Sequence, residues 1–253
     1  MKRGKMQKNG FTANVTNEQV AALPPMQFGG RIVVVDEPEQ IAAACDDLQS
    51  CAAIGFDTET RPSFKAGVIN KTALLQLSTP DRCYLFRLCR IPLDKRILHI
   101  LSSKSIVKVG ADVGGDLRAL RELRYFNAAA FADLQDMASG WGVAEKSVRK
   151  LAAIVLGGRI SKAQRLSNWE AASLTPAQQA YAATDAWVCL RIYDALNHTE
   201  RKPLPAPKEK STVKAAKKEE RPPQTTDPDT EKESATKKRR PRWRFRTRAK
   251  RKE

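Results

Sequence analysis

The sequence predicts an α/β fold, with one mixed β-sheet flanked by helices and a basic tail too poor in apolar residues to fold. Short apolar and β-branched runs dominate the first half of the chain, whereas segments of helical period follow residue 133. No internal repeat interrupts this order. The predicted divisions are an irregular segment over 1–28, one domain over 29–198 and a disordered tail over 199–253.

Five runs predict β-strands, because they are short, apolar and rich in β-branched residues. They are Arg31–Val35, 52–57, 73–78, 83–88 and 106–109. The turn sequence TPDR over 79–82 separates the third run from the fourth, which predicts a β-hairpin.

Helices are predicted where apolar residues recur every three or four positions. These segments are 37–48, 92–101, 115–123, 147–156 and a long helix that starts at Pro176. Pro38 and Pro176 stand near first turns, which tolerate proline because the N–H groups there have no partner within the helix. Gly157 and Gly158 stop the fourth helix, and a polar loop over 160–170 precedes the last one.

The positive charge is concentrated in the tail. The chain carries a formal net charge of +17, of which +12 follows residue 200, where 20 Lys or Arg face 8 Asp or Glu. Such charge favours a polyanionic partner, nucleic acid. Trp243 and Phe245 alternate with arginines, which offers bases a stacking surface beside phosphate-binding groups. We therefore expect a sequence-independent nucleic-acid tether. A solvated extension and, in a eukaryote, a nuclear import signal are the alternatives.

The number of cysteines is odd, at five, and no two of them form a Cys-x-x-Cys motif. This favours buried thiols in a reducing compartment over disulfides or a zinc site. No apolar run approaches the roughly 20 residues that cross a bilayer, and the N-terminus lacks a signal-peptide core. We expect a soluble cytoplasmic protein with no membrane partner, nucleoid-associated in a bacterium or nuclear in a eukaryote.

Two acids end the second predicted strand. Asp57 and Glu59 are two positions apart, so their side chains lie on the same face of a sheet. They stand at the carboxyl edge, where α/β sheets collect their ligand-binding groups. A turn-forming aspartate beside a solvated glutamate is the alternative interpretation.

Three further residues can face the same point. Asp116 follows two glycines at the start of a predicted helix. A helix-capping role is its alternative, and Asp112 competes for the same place. Tyr181 and Asp185 are four positions apart and therefore share one face of the last helix. Taken alone, Tyr181 is better interpreted as a core aromatic.

Carboxylates gathered at one point repel one another unless cations neutralise them, so this set predicts bound divalent metal. Two such ions supply an attacking hydroxide and relieve charge on the leaving oxygen during phosphodiester hydrolysis. A phenol beside them can orient the nucleophile or help to deprotonate it. His99 and His198 are the only histidines, and this chemistry requires neither.

The sequences FDTE, VG-x-x-x-x-x-D and Y-x-x-x-D resemble the three motifs of DEDD-type 3′–5′ exonucleases, in the subgroup with tyrosine in the third motif. Over about 30–197, the segments TALLQLST, KVGADVGGD, KSVRKLAAIVLG and SKAQRLSNWE are similar to Werner-syndrome-type exonuclease domains and their bacterial relatives. The resemblance implies an RNase H-like sheet with flanking helices. It also implies removal of nucleotides from a 3′ end with two Mg²⁺ or Mn²⁺ ions.

The same resemblance implies a role for each residue of the site. Asp57 would bridge both ions, and Asp116 would bind or support the second. Glu59 and Asp185 would hold the ion on the nucleophile side. Tyr181 would position the attacking water.

Four residues are candidate substrate contacts. Arg165 and Trp169 lie in the segment that the family places beside its active site, and Trp243 and Phe245 lie in the tail. A buried Trp169 that anchors this loop is the alternative. We expect the substrate to be the 3′ end of DNA, with RNA as a further candidate. RNase D-like RNA processing and a non-catalytic nucleic-acid-binding module are the alternative functions.

Overall fold

Six β-strands form one sheet at the centre of the described residues. The computed structural model describes residues 10–65, 67 and 69–204. The strands are β1 (Arg31–Val35), β2 (Ala53–Thr60), β3 (Thr72–Ser78), β4 (Arg82–Phe86), β5 (Val107–Gly110) and β6 (Phe131–Asp133). Their order in the sheet is β1-β4-β3-β2-β5-β6. The pairs β2–β3 and β3–β4 are antiparallel, and the pairs β1–β4, β2–β5 and β5–β6 are parallel.

Seven α-helices accompany the sheet within the described residues. They are α1 (Asn17–Ala22), α2 (Gln40–Gln49), α3 (Lys95–Ser102), α4 (Val113–Leu123), α5 (Leu134–Met137), α6 (Val148–Leu156) and α7 (Pro176–Asn197), with a 3₁₀ turn over Ala138–Trp141. Capping boxes begin two of them: Thr16 pairs with Gln19 at α1, and Thr175 pairs with Gln178 at α7. None of the helices described is long and apolar enough to span a membrane.

The two faces of the sheet are covered by different helices. On one face, Phe56 and Leu75 pack among buried side chains of α2, α3 and α4. On the other face α7 crosses β2 so closely that a Cβ added at Gly55 would lie 1.9 Å from the carbonyl oxygen of Ala186. Because side chains alternate along a strand, Asp57 and Glu59 share the α7 face with Gly55. The strand that carries two of the acids is thus pressed against the helix that carries Tyr181 and Asp185.

The predicted fold class is confirmed, including the mixed sheet and the β3–β4 hairpin. Differences lie at the ends of elements: β2 continues past Asp57 to Thr60, and α2 begins at Gln40 instead of residue 37. Strand β6 was not predicted, because its three partly buried residues are too few to show a periodic pattern.

The segment before residue 29 is not irregular throughout, in contrast to the prediction, because α1 forms within it. The segment is also bound to the domain. Val20 is buried, and the Met26 N–H donates to the Arg159 carbonyl at 2.8 Å. The Phe28 N–H donates to the Thr184 hydroxyl at 3.0 Å. These contacts hold the segment against α7 and the loop after α6.

The first residues of the predicted tail lie along the 3₁₀ turn. The Trp141 indole donates to the Thr199 carbonyl at 3.0 Å, and the Arg201 guanidinium lies 4.6 Å from the Trp141 ring centroid. The Leu204 N–H donates to the Ser139 carbonyl at 3.1 Å. The rest of the predicted tail, with Trp243 and Phe245, lies outside the described residues.

Gly55→Ala should lower the stability of the protein. The added methyl group would lie 1.9 Å from the Ala186 oxygen and 2.7 Å from its carbonyl carbon, so β2 and α7 would have to separate. Overpacking of this kind costs about 1–3 kcal/mol, occasionally more. Urea unfolding measures the change. Gly29→Ala is the matched control, because nothing lies within 4 Å of its added Cβ. Equal losses in both variants would contradict the close approach.

Candidate active site

Three carboxylates meet where β2 passes under α7. Asp57 and Glu59 come from β2 and Asp185 comes from α7, and one oxygen of each lies within 4.8 Å of the others. All three residues are partly buried. Carboxylate oxygens are the ligands that Mg²⁺ and Ca²⁺ prefer, so both the type and the spacing of these donors fit a divalent cation.

Asp116 lies beside this trio, not within it. Its carboxylate accepts a hydrogen bond from the Thr58 hydroxyl at 2.6 Å. Its negative charge nevertheless helps to raise the pKa of Asp57 and of Glu59, so it belongs to the site electrostatically. Asp112, the competing residue, is exposed before α4 and is not among the charges that raise either pKa. The charge effects and the hydrogen bond from Thr58 of β2 therefore favour Asp116 over Asp112.

Burial and mutual repulsion both disfavour the charged forms of these acids. Burial raises the pKa of Asp57 well above its usual range, and the charges of the other three acids add to the effect. Burial is also the main cause that raises the pKa of Glu59 to about 8, of Asp185 to about 7 and of Asp116 to about 6. A cation at this point would offset the repulsion and restore the ionised forms.

Tyr181 lies on the same face of α7 as Asp185. Burial, followed by the charge of Asp185, raises the pKa of the Tyr181 phenol far above its usual range. The phenol is therefore a neutral hydrogen-bond donor, and its interaction with Asp185 lowers the pKa of that carboxyl. A protonated hydroxyl fits the first of the two roles predicted for the tyrosine, orientation of a nucleophile, and help with its deprotonation stays a prediction.

Trp169 packs against Tyr181. Their ring centroids are 6.0 Å apart, and Trp169 is fully buried. This burial contradicts the predicted contact between Trp169 and substrate, because the ring has no free surface to offer. The alternative prediction, a buried tryptophan that anchors the loop, agrees with the structure.

Arg87 completes this anchor and was not anticipated from the sequence. It is only 1% exposed and donates to the carbonyl of Ala172 at 2.9 Å and to that of Ala171. A buried guanidinium is tolerated only when it is hydrogen-bonded, and here its donors fix the chain just after Trp169. A lone arginine in the apolar run CYLFRL was the available signal, but its partners lie more than 80 positions away.

Cationic side chains line the cleft beside the acids. A cavity of about 210 Å³ that includes Asp57 and Asp185 is lined also by Arg149, Lys162 and Arg165. The structure thus places Arg165 at the predicted site, and its charge lowers the pKa of Glu59. Arg149 was missed, because the sequence does not reveal that the first turn of α6 lines the same cavity as Asp185 of α7.

Comparison with known proteins decides the family. A family model described as 3′–5′ exonuclease matches residues 32–199. The chain belongs to this family. The bifunctional 3′–5′ exonuclease/ATP-dependent helicase WRN of Mus musculus is 35% identical over 188 residues, which cover 70% of this chain and 13% of the mouse protein. A 3′–5′ exonuclease of Arabidopsis thaliana is 30% identical over 193 residues, 68% of this chain and 66% of that protein.

Solved structures share the fold. The EXO domain of Aedes aegypti Nibbler superimposes with a TM-score of 0.58 at 26% identity, over 66% of this chain and 87% of that chain. Escherichia coli RNase D shares the fold with a TM-score of 0.60 at 23% identity, over 66% of this chain and 44% of that chain. The predicted membership among DEDD-type, RNase H-like 3′–5′ exonucleases is confirmed, and the tyrosine subgroup stays a prediction. The chain spans only 13% of the mouse relative and 66% of the Arabidopsis one.

In EDTA, the free energy of unfolding should fall as the pH rises from about 5 to about 8. The folded-state pKa values of Glu59 and Asp185, about 8 and about 7, exceed the unfolded values near 4. The folded state therefore binds more protons in this interval, so a rise in pH favours unfolding. Urea unfolding across this pH range measures the slope. Added Mg²⁺ or Mn²⁺ should restore stability most at the high end.

Matched variants identify the source of this slope. Glu59→Gln should flatten it, because the amide does not titrate. Asp46→Asn, at an exposed position of α2, should leave it unchanged. A slope that is the same in Glu59→Gln and in the unmodified protein would contradict the burial of charge at this site.

Proposed function

We propose that the chain is a metal-dependent exonuclease that removes nucleotides from the 3′ ends of DNA by two-metal-ion hydrolysis. The family supplies the reaction class. The observation that carries the finer proposal is the meeting of Asp57, Glu59 and Asp185 within 4.8 Å, with Asp116 and Tyr181 beside them. DNA as the substrate and two as the number of ions are the parts that require a test.

Four acids would hold the metal. Asp57, Glu59 and Asp185 would bind one ion, and Asp57 together with Asp116 would bind the other. When bound, such ions lower the pKa of a coordinated water and neutralise charge on the leaving oxygen. Asp57 suits the shared position, because the charges of all three other acids act on it. Asp116 is held in one direction by its hydrogen bond from Thr58.

Tyr181 would orient the attacking water. Its raised pKa keeps the proton on the phenol oxygen at neutral pH, so the hydroxyl donates a hydrogen bond instead of accepting a proton. The buried Trp169 ring restricts the directions in which Tyr181 can point. In the same cavity, Arg149, Lys162 and Arg165 would contact the phosphates of the strand.

DNA is the first candidate substrate. The names of the relatives include a 3′–5′ exonuclease/ATP-dependent helicase and an exoribonuclease involved in structured RNA processing, so the choice between the two polymers is made by the experiment below. RNA trimming is the second candidate, since the same carboxylates can serve either substrate.

A non-catalytic nucleic-acid-binding module is the alternative of another class. The retention of all four acids together with Tyr181 opposes it, because a binder has no need for buried carboxylates whose repulsion disfavours the fold.

The basic segment after residue 204 would act as a tether. Its charge would attract nucleic acid without regard to sequence, and its attachment would raise the local concentration of 3′ ends at the cleft. We place this activity in the cytoplasm, nucleoid-associated in a bacterium or nuclear in a eukaryote.

Asp57→Asn and Asp185→Asn should abolish nucleotide release. Tyr181→Phe should slow it by about 10²-fold, the loss expected when a reacting group is misplaced by about 1 Å. Asp116→Asn should lose most activity and Asp112→Asn should keep it, which separates the two candidates for the second-motif acid. The measurement is a gel ladder from 5′-labelled single strands and recessed duplexes, each made as DNA and as RNA, with Mg²⁺ or Mn²⁺.

The same gels would also show the results that contradict the proposed function. Wild-type turnover by Asp57→Asn would reject the site, and faster trimming of RNA than of DNA would select the second candidate. Binding of either polymer without any cleavage, unchanged by EDTA, would select the binding module.

A chain that ends at residue 204 keeps the contacts of Arg201 and Leu204 with the 3₁₀ turn but lacks the tether. It should bind single strands more weakly and with a flatter dependence on salt, because fewer counterions are released. Its turnover at saturating substrate should not change. Trp243→Ala with Phe245→Ala in the full chain isolates the stacking contribution. Unchanged affinity of the shortened chain at low salt would reject the tether.

A further inference from the structure

We propose that Gln76 of β3 is a positioning residue for Asp57, and that its buried amide donates a hydrogen bond to that carboxylate when the carboxylate binds a divalent cation. Gln76 lies directly opposite Asp57 in the antiparallel β2–β3 pair, so both side chains project from one face of the sheet. The Cβ atoms of two residues paired in this way are about 4.5–5.5 Å apart, a distance that a glutamine side chain can span. The inference rests on the metal site of the proposed function.

Gln76 is a polar residue in apolar surroundings. Its neighbours on the α7 face of the sheet are Leu74, two residues earlier on β3, and Leu85, its partner on β4. Gln76 is fully buried, and neither the nitrogen nor the oxygen of its amide has a hydrogen-bond partner among the described residues. A buried amide without partners is destabilising, whereas an apolar residue of the same size would not be. Packing alone therefore does not account for a glutamine at this position.

The Asp57 carboxylate has room for a further donor. The Thr58 backbone supplies a hydrogen bond that acts on Asp57, but no side chain of the described residues does so. Two other acids of the site do have a side-chain donor, since the Thr58 hydroxyl donates to Asp116 and the Tyr181 phenol interacts with Asp185. Hydrogen bonds of this kind fix the orientation of metal ligands. The unpaired amide on the facing strand would supply one to Asp57.

A hydrogen bond between Gln76 and Trp169 is the structural alternative. Trp169 belongs to the same buried cluster as Leu74 and Leu85, and its indole N–H also lacks a partner within the part of the chain that the structure describes. Such a bond would stabilise the metal-free protein. A bond that Gln76 makes only with cation-bound Asp57 would not. The stability of the protein in EDTA therefore separates the two roles.

Gln76→Met tests the proposal, with Thr72→Val as the matched control. Thr72 is also buried on β3 with an unpartnered hydroxyl, but it pairs with Thr60 instead of an acid. Each substitution removes the polar group while keeping a similar volume, so both should leave the urea midpoint in EDTA unchanged or raised. Only Gln76→Met should weaken Mn²⁺ binding, by about 10–100-fold. Electron paramagnetic resonance of the free ion measures this affinity on the full chain.

Three results would overturn the positioning role. They are equal Mn²⁺ affinity in Gln76→Met and the unmodified protein, an equal loss of affinity in Thr72→Val, and a lowered midpoint in EDTA for Gln76→Met, which selects the structural bond with Trp169. Absence of Mn²⁺ binding in the unmodified protein is a different failure, because it overturns the metal site of the proposed function and the positioning role with it.

The side-chain amide of Gln76 provides a direct readout. Its NH₂ signals are assigned in the ¹⁵N-labelled full chain by their absence from the spectrum of Gln76→Met. Mg²⁺, which is diamagnetic, should move one of the two protons downfield, because that proton then donates to a charged carboxylate. The same addition to Asp57→Asn should leave both protons unmoved.

The Thr58 backbone amide is the internal reporter of cation binding in these spectra, because it is hydrogen-bonded to Asp57. A Mg²⁺-dependent shift of the Thr58 signal without any shift of the Gln76 signals overturns the positioning role. Exonuclease activity that persists in that case leaves the proposed function in place.

Discussion

The backbone contact between Gly55 of β2 and Ala186 of α7 is the constraint on which the site depends. With no side chain at Gly55, the helix lies directly on the strand, and Asp185 reaches Asp57 and Glu59. A side chain at residue 55 would increase the distance between β2 and α7 and would move the Asp185 carboxylate away from those of Asp57 and Glu59. The sheet holds β2 in place, because β2 is hydrogen-bonded to β3 on one edge and to β5 on the other.

The site needs rigid support because its acids destabilise the folded state. Four acids held together without a cation repel one another, and burial disfavours their charge still more. Neighbouring groups fix the residues of the site: Thr58 donates to Asp116, Trp169 packs on Tyr181, and Arg87 holds the chain beyond Trp169. Groups fixed before substrate binds need not reorganise during the reaction.

Local pattern was sufficient to predict most of the fold and to select the three acids that the structure brings together. Alternation placed Asp57 and Glu59 on one face, and helical spacing placed Tyr181 and Asp185 on another, so their meeting followed from topology. Features set by long-range pairing were not predictable. The opposition of Gln76 and Asp57 depends on strand register, and the partners of Arg87 depend on the path of a distant loop. Short elements such as α1 and β6 are too brief to show a period.

Helix α7 and the loop before it differ in how well they tolerate insertions and deletions, and this difference determines which parts of the domain can change in evolution. A one-residue insertion between Tyr181 and Asp185 would rotate one of them by about 100° away from the acids, because a helix turns once in 3.6 residues. The largely exposed stretch over 161–168 is bonded mainly within itself and is anchored from Asn168 onward, where the Gln178 amide donates to the Asn168 carbonyl. Insertions and deletions can accumulate there without moving a carboxylate. Selection can therefore reshape which strands enter the cleft while the hydrolytic centre stays constant.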